Sequence, residues 1–179
     1  MSTSFKSAMG RLKGSIRDVP DFPKKGVIFK DITPILANGQ LFRLAVTIFT
    51  ERYQRKSVEK IVAIDARGFI FGGALAHHLG VGLSIVRKKG KLPYTSHQSE
   101  YELEYGQGTL ELHTDGVEKH QRVVIIDDLL ATGGTAAAAA KLVEKCGGEI
   151  IELAFLVELG FLHGRKKLEK YPVFSAITY

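Results

Sequence analysis

Two adjacent carboxylates and a glycine-rich turn form the most chemically informative stretch of this 179-residue sequence. The β-branched run Val123–Ile126 predicts a strand buried on both faces of a parallel sheet. The run ends in Asp127 and Asp128, and Thr132-Gly133-Gly134-Thr135 precedes a helix predicted over Ala136–Cys146. Glycines let the main chain approach a ligand, and the N–H groups that begin a helix favour an anion. The pattern therefore predicts a phosphate cradle beside two carboxylates, which suits a ribose 5-phosphate.

The simpler alternative is a capped strand-turn-helix that binds nothing. Such a turn requires neither two adjacent acids nor two adjacent glycines, so we favour the ligand site. Further strands are predicted at Ile150–Val157 and Val173–Ile177, and the alternation of strands with helices predicts a parallel α/β sheet flanked by helices.

A second predicted strand end carries an arginine between a carboxylate and a glycine. Lys60–Ile64 reads as a short apolar strand, Asp65-Ala66-Arg67-Gly68 follows it, and an apolar helix is predicted from about Phe69 to Leu79. A guanidinium can hold a phosphate at two points. Because ligands bind at the carboxyl ends of parallel strands, this turn predicts a second anion site near the first. On its own the tetrapeptide is equally consistent with a surface salt bridge.

A cluster of cations follows the strand predicted over Gly82–Val86. Four basic residues fall within five positions: Arg87, Lys88, Lys89 and Lys91. A solvated charge run is the simpler interpretation, but next to two anion sites one or two of these side chains are expected to reach a polyanion. The polar segment from Leu92 to about Gly108 predicts a flap or a hairpin within about residues 92–112, with Thr109–Leu112 as its returning strand. Charged and aromatic residues on such a flap can close over a substrate and exclude water; here they are Tyr101, Glu102, Glu104 and Tyr105.

Composition indicates one globular domain over residues 1–179, since the chain is 45% hydrophobic. A single cysteine suits a reducing cytoplasm, and no apolar run has the length of a membrane span. The net charge of +6 can serve nucleic acid, an anionic membrane or a polyanionic small substrate, and we favour the third. The basic segment with Phe5, Met9, Leu12 and Ile16 at helical spacing predicts an amphipathic helix on the domain rather than a targeting presequence.

Competing chemistries find little support. The sequence has no G-x-x-x-x-G-K-[ST] phosphate loop and no G-x-G-x-x-G fingerprint. Its six histidines are not paired at a helical metal-ligand spacing, and Cys146 alone cannot build a thiolate site. The sequence therefore predicts no metal site built from histidines or thiolates.

The segment from Asp127 to Thr135 resembles the signature of the type I phosphoribosyltransferases. The resemblance implies that family's fold, with a central parallel sheet, an N-terminal hood (about residues 1–40) and a flexible flap. It implies that Asp127 and Asp128 grip the ribose hydroxyls of phosphoribosyl pyrophosphate and that Ala131–Thr135 binds its 5-phosphate. The pyrophosphate would lie at the turn after the strand Lys60–Ile64, where the resemblance implies a cis peptide at Asp65–Ala66. It would contact Asp65, Ala66, Arg67, Arg87, Lys88 and Lys91.

The hood resembles that of the adenine-specific members of this family. Asp21-Phe22-Pro23 and the string from Gly26 to Pro34 carry the likeness of the hood, and three further blocks resemble the same members: Asp65–Phe69, Arg87–Pro93 and Leu103–Gly106. It implies that adenine and phosphoribosyl pyrophosphate give AMP and pyrophosphate, that Mg²⁺ rides on the substrate, and that the protein is a cytoplasmic homodimer. The implied adenine-binding residues are Ile28, Phe29 and Lys30, the implied catalytic residues are Glu104, Arg67, Asp127 and Asp128, and Tyr105 lies on the flap.

Two rival functions stay open at this point. One is a non-catalytic regulator that keeps the sugar-phosphate site as a sensor, although such proteins usually carry an added DNA-binding domain. The other is a phosphoribosyltransferase for a 6-oxopurine or for orotate, against which the hood argues. Some family members have arginine where this chain has Lys30, with little consequence expected, because the resemblance implies that the base is read there through the main chain.

Overall fold

The computed structural model describes residues 3–102 and 107–179 and separates the chain into two compact units, Met1–Phe49 and Thr50–Tyr179. The prediction of one domain over the whole chain is not tested by this division. The elements, in chain order, are α1 (Thr3–Ser15), β1 (Arg17–Pro20), β2 (Ile28–Asp31), α2 (Thr33–Ala37), α3 (Gly39–Tyr53), β3 (Lys60–Ile64), α4 (Gly68–Leu79), β4 (Gly82–Lys88), β5 (Ser96–Glu102), β6 (Gln107–His113), β7 (Arg122–Leu130), α5 (Gly134–Cys146), β8 (Glu149–Glu158) and β9 (Val173–Thr178).

The first unit contains a small antiparallel ribbon. β1 pairs with β2 so that Asp18 faces Lys30 and Val19 faces Phe29. The connection between them includes the cis peptide Phe22–Pro23. The N-terminal segment forms the amphipathic helix that its pattern predicts, with Leu12 buried on one side. This unit holds the hood predicted over about residues 1–40.

The second unit is built on a seven-stranded sheet with the order β5-β6-β4-β3-β7-β8-β9. Five neighbouring strands are parallel: β4, β3, β7, β8 and β9. In contrast, β6 pairs antiparallel with both β4 and β5. The prediction of a central parallel α/β sheet is confirmed, with the antiparallel β5–β6 hairpin added at one edge. This hairpin occupies the region predicted as the flap.

Helices cover both faces of the sheet, as an apolar run such as Val123–Ile126 requires. Neighbouring residues of a strand point to opposite faces. Val123 and Ile125 belong to the core cluster that contains the alanines of α5, whereas Ile126 lies beside Gly72 of α4. The four residues of the run are fully buried. A Cβ at Gly72 would lie 2.5 Å from the Cβ of Ala63, so glycine allows α4 to pack directly on β3.

The register of the parallel strands aligns the ends that carry the predicted chemistry. Ile64 of β3 pairs with Val86 of β4, and Ala63 pairs with Ile126 of β7. The next residue along each strand therefore lies at the same, carboxyl-terminal end of the parallel strands. These residues are Asp65, Arg87 and Asp127.

Two strands extend past their predicted ends into chemistry-bearing residues: β4 continues to Lys88 instead of ending at Val86, and β7 extends four residues beyond Ile126. β7 does not end at the two acids but continues to Leu130, because Leu129 and Leu130 pair with Val157 and Glu158 of β8. Asp127 and Asp128 are thus strand residues, held by backbone pairing, rather than the first residues of a loop.

Candidate active site

The two carboxylates of β7 have different surroundings. Asp128 is only 5% exposed, and its backbone N–H donates a hydrogen bond to Oδ1 of Asp127 at 2.8 Å. Nε of Arg67 donates to Oδ2 of Asp128 at 2.5 Å. Burial, followed by the neighbouring negative charge of Asp128, raises the pKa of Asp127 well above its ordinary value. Asp128 is therefore paired with a cation, whereas ionisation of Asp127 is unfavourable.

The turn after β3 packs directly on β7. The peptide Asp65–Ala66 is cis, as the resemblance implied. A Cβ at Gly68 would lie 2.9 Å from both Oδ1 of Asp127 and the carbonyl oxygen of Ile126, so a glycine is required for this approach. Because the turn lies so close, Arg67 at its end reaches Asp128 from the neighbouring strand.

The predicted phosphate loop connects β7 to α5. Gly133 has a left-handed backbone with φ of +80°, and the first turn of α5 follows with Ala137 N–H donating to the carbonyl of Gly133 at 2.9 Å. The earlier N–H groups of a helix have no acceptor within it, so they can point at a ligand. A cavity of about 80 Å³ lies here, lined by residues 129–136 together with Asp127.

A larger cavity of about 370 Å³ brings the two strand-end turns together. Its lining combines acids, cations and residues of the β5–β6 hairpin: Asp65, Ala66, Arg67, Lys88, Tyr101, Leu110, Asp127, Asp128, Leu129 and Thr135. Asp127, Leu129 and Thr135 line both cavities, so the predicted sugar-phosphate cradle and the predicted second anion site are neighbours. Such a shape fits an extended substrate with a phosphate at one end and a polyanion at the other.

The basic run at the end of β4, which includes the strand residues Arg87 and Lys88, has several roles. Arg87 donates through Nε to Oδ2 of Asp65 at 3.1 Å and through Nη1 to the carbonyl of Lys91 at 3.2 Å. Lys88 lines the larger cavity. Arg87 therefore links Asp65 of the turn after β3 to the main chain of Lys91. Lys88 contributes to the lining of the larger cavity.

The predicted base-binding residues lie on β2 in the first unit. Ile28 is 56% exposed, and the ring of Phe29 meets that of Phe22 edge to face at 5.2 Å. Nζ of Lys30 forms an ion pair with Asp18 on β1 at 2.6 Å. The side chain of Lys30 is thus turned to its own ribbon. Glu104 and Tyr105, the predicted catalytic acid and flap residue, lie outside the described residues.

Some residues of the site carry no signal in the sequence. Leu110 and Leu129 line the larger cavity as ordinary strand residues. Gly164, between β8 and β9, touches the phosphate loop through its backbone. Only its glycine identity, shared with eighteen others, could have drawn attention to it.

Residues 3–102 and 107–179 hold neither a metal-binding cluster nor a membrane-spanning helix. They contain no group of three or more His, Cys, Asp or Glu side chains placed to hold a metal ion. Nor do they contain a helix long and apolar enough to cross a membrane.

Comparison with known proteins identifies the class. The model of the phosphoribosyl transferase domain matches residues 32–177. The chain belongs to the phosphoribosyl transferase family, and its sheet with flanking helices is the type I fold of that family.

Relatives that resemble the whole chain narrow the class further. The adenine phosphoribosyltransferase of Methylacidiphilum infernorum is 54% identical over 179 residues, the whole of both chains. The crystal structure of the enzyme of that name from Thermoanaerobacter pseudethanolicus is 51% identical, covers 96% of this chain and 99% of its own, and has a TM-score of 0.93. The Saccharomyces cerevisiae enzyme, complexed with an imino-altritol bisphosphate and adenine, is 40% identical over 96% of this chain and 99% of its own, with a TM-score of 0.91.

Proposed function

We propose that this protein is an adenine phosphoribosyltransferase of purine salvage, which converts adenine and phosphoribosyl pyrophosphate into AMP and pyrophosphate. The observation that carries the proposal is the pair of adjacent cavities, one at the phosphate loop and one at the turn after β3, whose linings share Asp127, Leu129 and Thr135. The relatives in the comparisons carry the same activity in their names.

The reaction replaces one bond at the anomeric carbon by another. The C1–O bond to pyrophosphate breaks, the bond from the adenine ring nitrogen to C1 forms, and that nitrogen loses its proton. The transition state has a cationic sugar and a departing polyanion. Asp127 and Asp128 are suited to stabilise the sugar, and Arg67 the leaving group, because preorganised charges act most strongly where charge develops.

The remaining contacts follow the two cavities. Residues Ala131–Thr135 hold the 5-phosphate through main-chain N–H groups and threonine hydroxyls. The leaving pyrophosphate contacts the cis turn and the basic run, through Asp65, Ala66, Arg67, Arg87, Lys88 and Lys91. A cationic wall on this side stabilises negative charge as the C1–O bond lengthens.

Magnesium fits this site as a passenger on the substrate. The carboxylates of Asp65, Asp127 and Asp128 line one cavity without forming a group placed to hold a metal ion, so the oxygen atoms that Mg²⁺ prefers would come from the substrate. The ion, held by sugar hydroxyls and pyrophosphate oxygens, would neutralise part of the leaving group's charge. The protein's part is to place these carboxylates and Arg67 around the sugar.

The base is assigned to the hood. Main-chain groups of Ile28 and Lys30 would read the 6-amino group and the adjacent ring nitrogen, and Phe29 would pack on the purine. Glu104 would hold the ring nitrogen opposite the attacking one, and Tyr105 would close with the flap. We further propose that the protein works as a cytoplasmic homodimer.

A direct assay tests the proposal. The protein is incubated with Mg²⁺ and phosphoribosyl pyrophosphate, and separately with adenine, hypoxanthine, guanine or orotate, and the nucleotide formed is identified by mass. AMP formed from adenine, with little or no product from the other bases, is expected. An Asp128→Asn variant serves as the inactive control, and Asp115→Asn, at an exposed turn residue, serves as the matched active control. Product from hypoxanthine or orotate at a comparable rate would overturn the choice of base.

A further inference from the structure

The phosphate loop and the connection between β8 and β9 touch backbone to backbone at a pair of glycines. A Cβ placed on Gly133 would lie 2.3 Å from the carbonyl oxygen of Gly164. A Cβ placed on Gly164 would lie 2.2 Å from the carbonyl oxygen of Ala131 and 3.0 Å from the nitrogen of Gly133. These approaches are shorter than real Cβ contacts allow, so neither position has room for a side chain unless the backbone moves.

The connection that carries Gly164 is itself firmly held. It comprises two short 3-10 turns, Gly160–Leu162 and Gly164–Leu168, and Leu168 is buried at its end. Arg165 forms two hydrogen bonds of 2.7 Å with the carboxylate of Glu158 and a third, of 2.9 Å, with the carbonyl of Val173. The residue next to Gly164 is thus fixed to the ends of both flanking strands, which makes the connection a rigid support.

The support and the loop are also joined where β7 ends. The N–H of Leu159 donates to the carbonyl of Leu130 at 2.9 Å, immediately before the loop begins. The loop residues Ala131 and Gly133 are therefore bounded on one side by a ladder hydrogen bond and on the other by Gly164. Their main-chain N–H groups can move little without displacing this support.

We propose that Gly164 is a positioning residue for the 5-phosphate: its missing side chain lets the β8–β9 connection set the conformation of the loop that binds the phosphate. The proposal rests on the proposed function, in which Ala131–Thr135 holds that phosphate. Gly164 itself touches no substrate. It acts through Ala131 and Gly133, whose backbone it contacts.

A Gly164→Ala variant tests the proposal by a purely steric change. The backbone of Gly164 does not lie in the left-handed region, so alanine adds no conformational strain there, unlike a substitution at Gly133. The methyl group must push the loop away. Misplacing a binding group by about 1 Å can cost about 100-fold, so we expect the Kd of AMP and of ribose 5-phosphate to rise at least about tenfold.

The ligand series separates positioning from general damage. Pyrophosphate is assigned to the turn at Asp65–Gly68, away from the loop, so its Kd should stay unchanged in a folded Gly164→Ala variant. Calorimetry measures all three ligands, and circular dichroism checks the fold. Unchanged AMP affinity, or an equal loss for pyrophosphate, would overturn the proposal. Gly73→Ala is the matched control, because this glycine has no neighbour within 4 Å of an added Cβ.

Two further variants make the outcome decisive. Thr135→Val removes a hydroxyl assigned to the phosphate. If this variant binds AMP as tightly as the wild type, the proposed phosphate site is wrong. If Thr135→Val weakens AMP binding and Gly164→Ala does not, only the positioning role is wrong. If Gly164→Ala does not fold, Arg165→Met decides by loosening the support without crowding the loop. We then expect the Kd of AMP to rise at least about twofold, as for coupled neighbouring residues. No change in a folded Arg165→Met protein would overturn the proposal.

Discussion

Nε of Arg67 lies 2.5 Å from Oδ2 of Asp128, which joins the turn after β3 to β7, the strand of the predicted signature. The Arg67 side chain is 41% exposed, whereas that of Asp128 is 8% exposed, so the ion pair stands at the wall of the larger cavity. The two groups assigned to opposite halves of the substrate, sugar and pyrophosphate, are therefore neighbours that neutralise each other.

Replacing Asp128 by Asn should reduce turnover strongly while changing stability little. Loss of one electrostatic contact in the transition state typically costs about 2.7–4 kcal/mol, a fall of about 10²–10³ in kcat. The lost ion pair with a partly exposed arginine is worth less than about 1 kcal/mol to folding. Steady-state kinetics and thermal melting measure the two effects. Activity within a few-fold of wild type would contradict the proposed role of this acid.

Asp127→Asn should stabilise the protein, and increasingly so as the pH rises. The pKa of Asp127 is raised in the folded state, so this state binds more protons than the unfolded chain over the window from the ordinary value of 3.8 up to the folded value. Wild-type stability is lost across that window, whereas asparagine has no such cost. The amide oxygen can still accept the N–H of Asp128. Urea unfolding of both proteins from pH 4 to 8 measures the difference, and a pH-independent difference would argue against the raised pKa.

Glu152→Gln should destabilise the fold and leave turnover unchanged. Glu152 on β8 is buried and accepts hydrogen bonds from Arg52 at 2.5 and 2.6 Å and from the Tyr53 hydroxyl at 2.7 Å. Burial alone would raise its pKa, but the bonds from Arg52 and Tyr53 outweigh burial and lower it. Hydrogen bonds to charged groups contribute about 1.5–3 kcal/mol, so we expect a loss of about 2 kcal/mol at neutral pH.

The sign of the pH dependence provides a check on this cluster. Because the pKa of Glu152 is lowered on folding, its contribution to stability is present above the ordinary value of 4.5 and disappears as the pH falls through the folded value. The difference between wild type and Glu152→Gln should therefore shrink in acid. Glu149→Gln, at an exposed position on the same strand, is the matched control and should unfold like the wild type. Equal losses in the two variants would speak against the cluster.

Adenine should be strongly preferred over hypoxanthine, in the wild type and in Lys30→Arg alike. The 6-amino group of adenine donates hydrogen bonds whereas a 6-oxo group accepts, and a site built for one can reject the other by about 10⁴–10⁵. Nζ of Lys30 is paired with Asp18, which is consistent with reading of the base by the main chain. Ratios of kcat/KM for the two bases measure the preference. A preference that collapses in Lys30→Arg would place the side chain in the base site.

Sedimentation at micromolar concentration should show a dimer. The resemblance implies a homodimer with residues near Arg87–Lys91 close to the partner or to the site. Sedimentation velocity over a range of concentrations measures the mass directly. A single 19.7 kDa species at all concentrations would contradict the prediction.

Local patterns were enough to predict the chemistry-bearing elements. The features that carry the signature follow one another within residues 123–135. The order of the apolar run, the two acids and the glycine turn therefore predicts the strand, the carboxylates and the loop. The same holds for the strand at Lys60–Ile64 and the turn after it. Even here, the predicted end of β7 was wrong by four residues. Pairing with β8, and not the local composition, keeps Leu129 and Leu130 extended.

Relationships between distant residues were decided only by the tertiary structure. Arg67 and Asp128 are 61 residues apart, and Arg52 and Glu152 are 100 apart. Each pair depends on strand register and helix packing, which no local pattern encodes. The contact of Gly133 with Gly164 is of the same kind: a glycine in the sequence permits a close approach, but which backbone approaches it is set by how the β8–β9 connection folds over the loop.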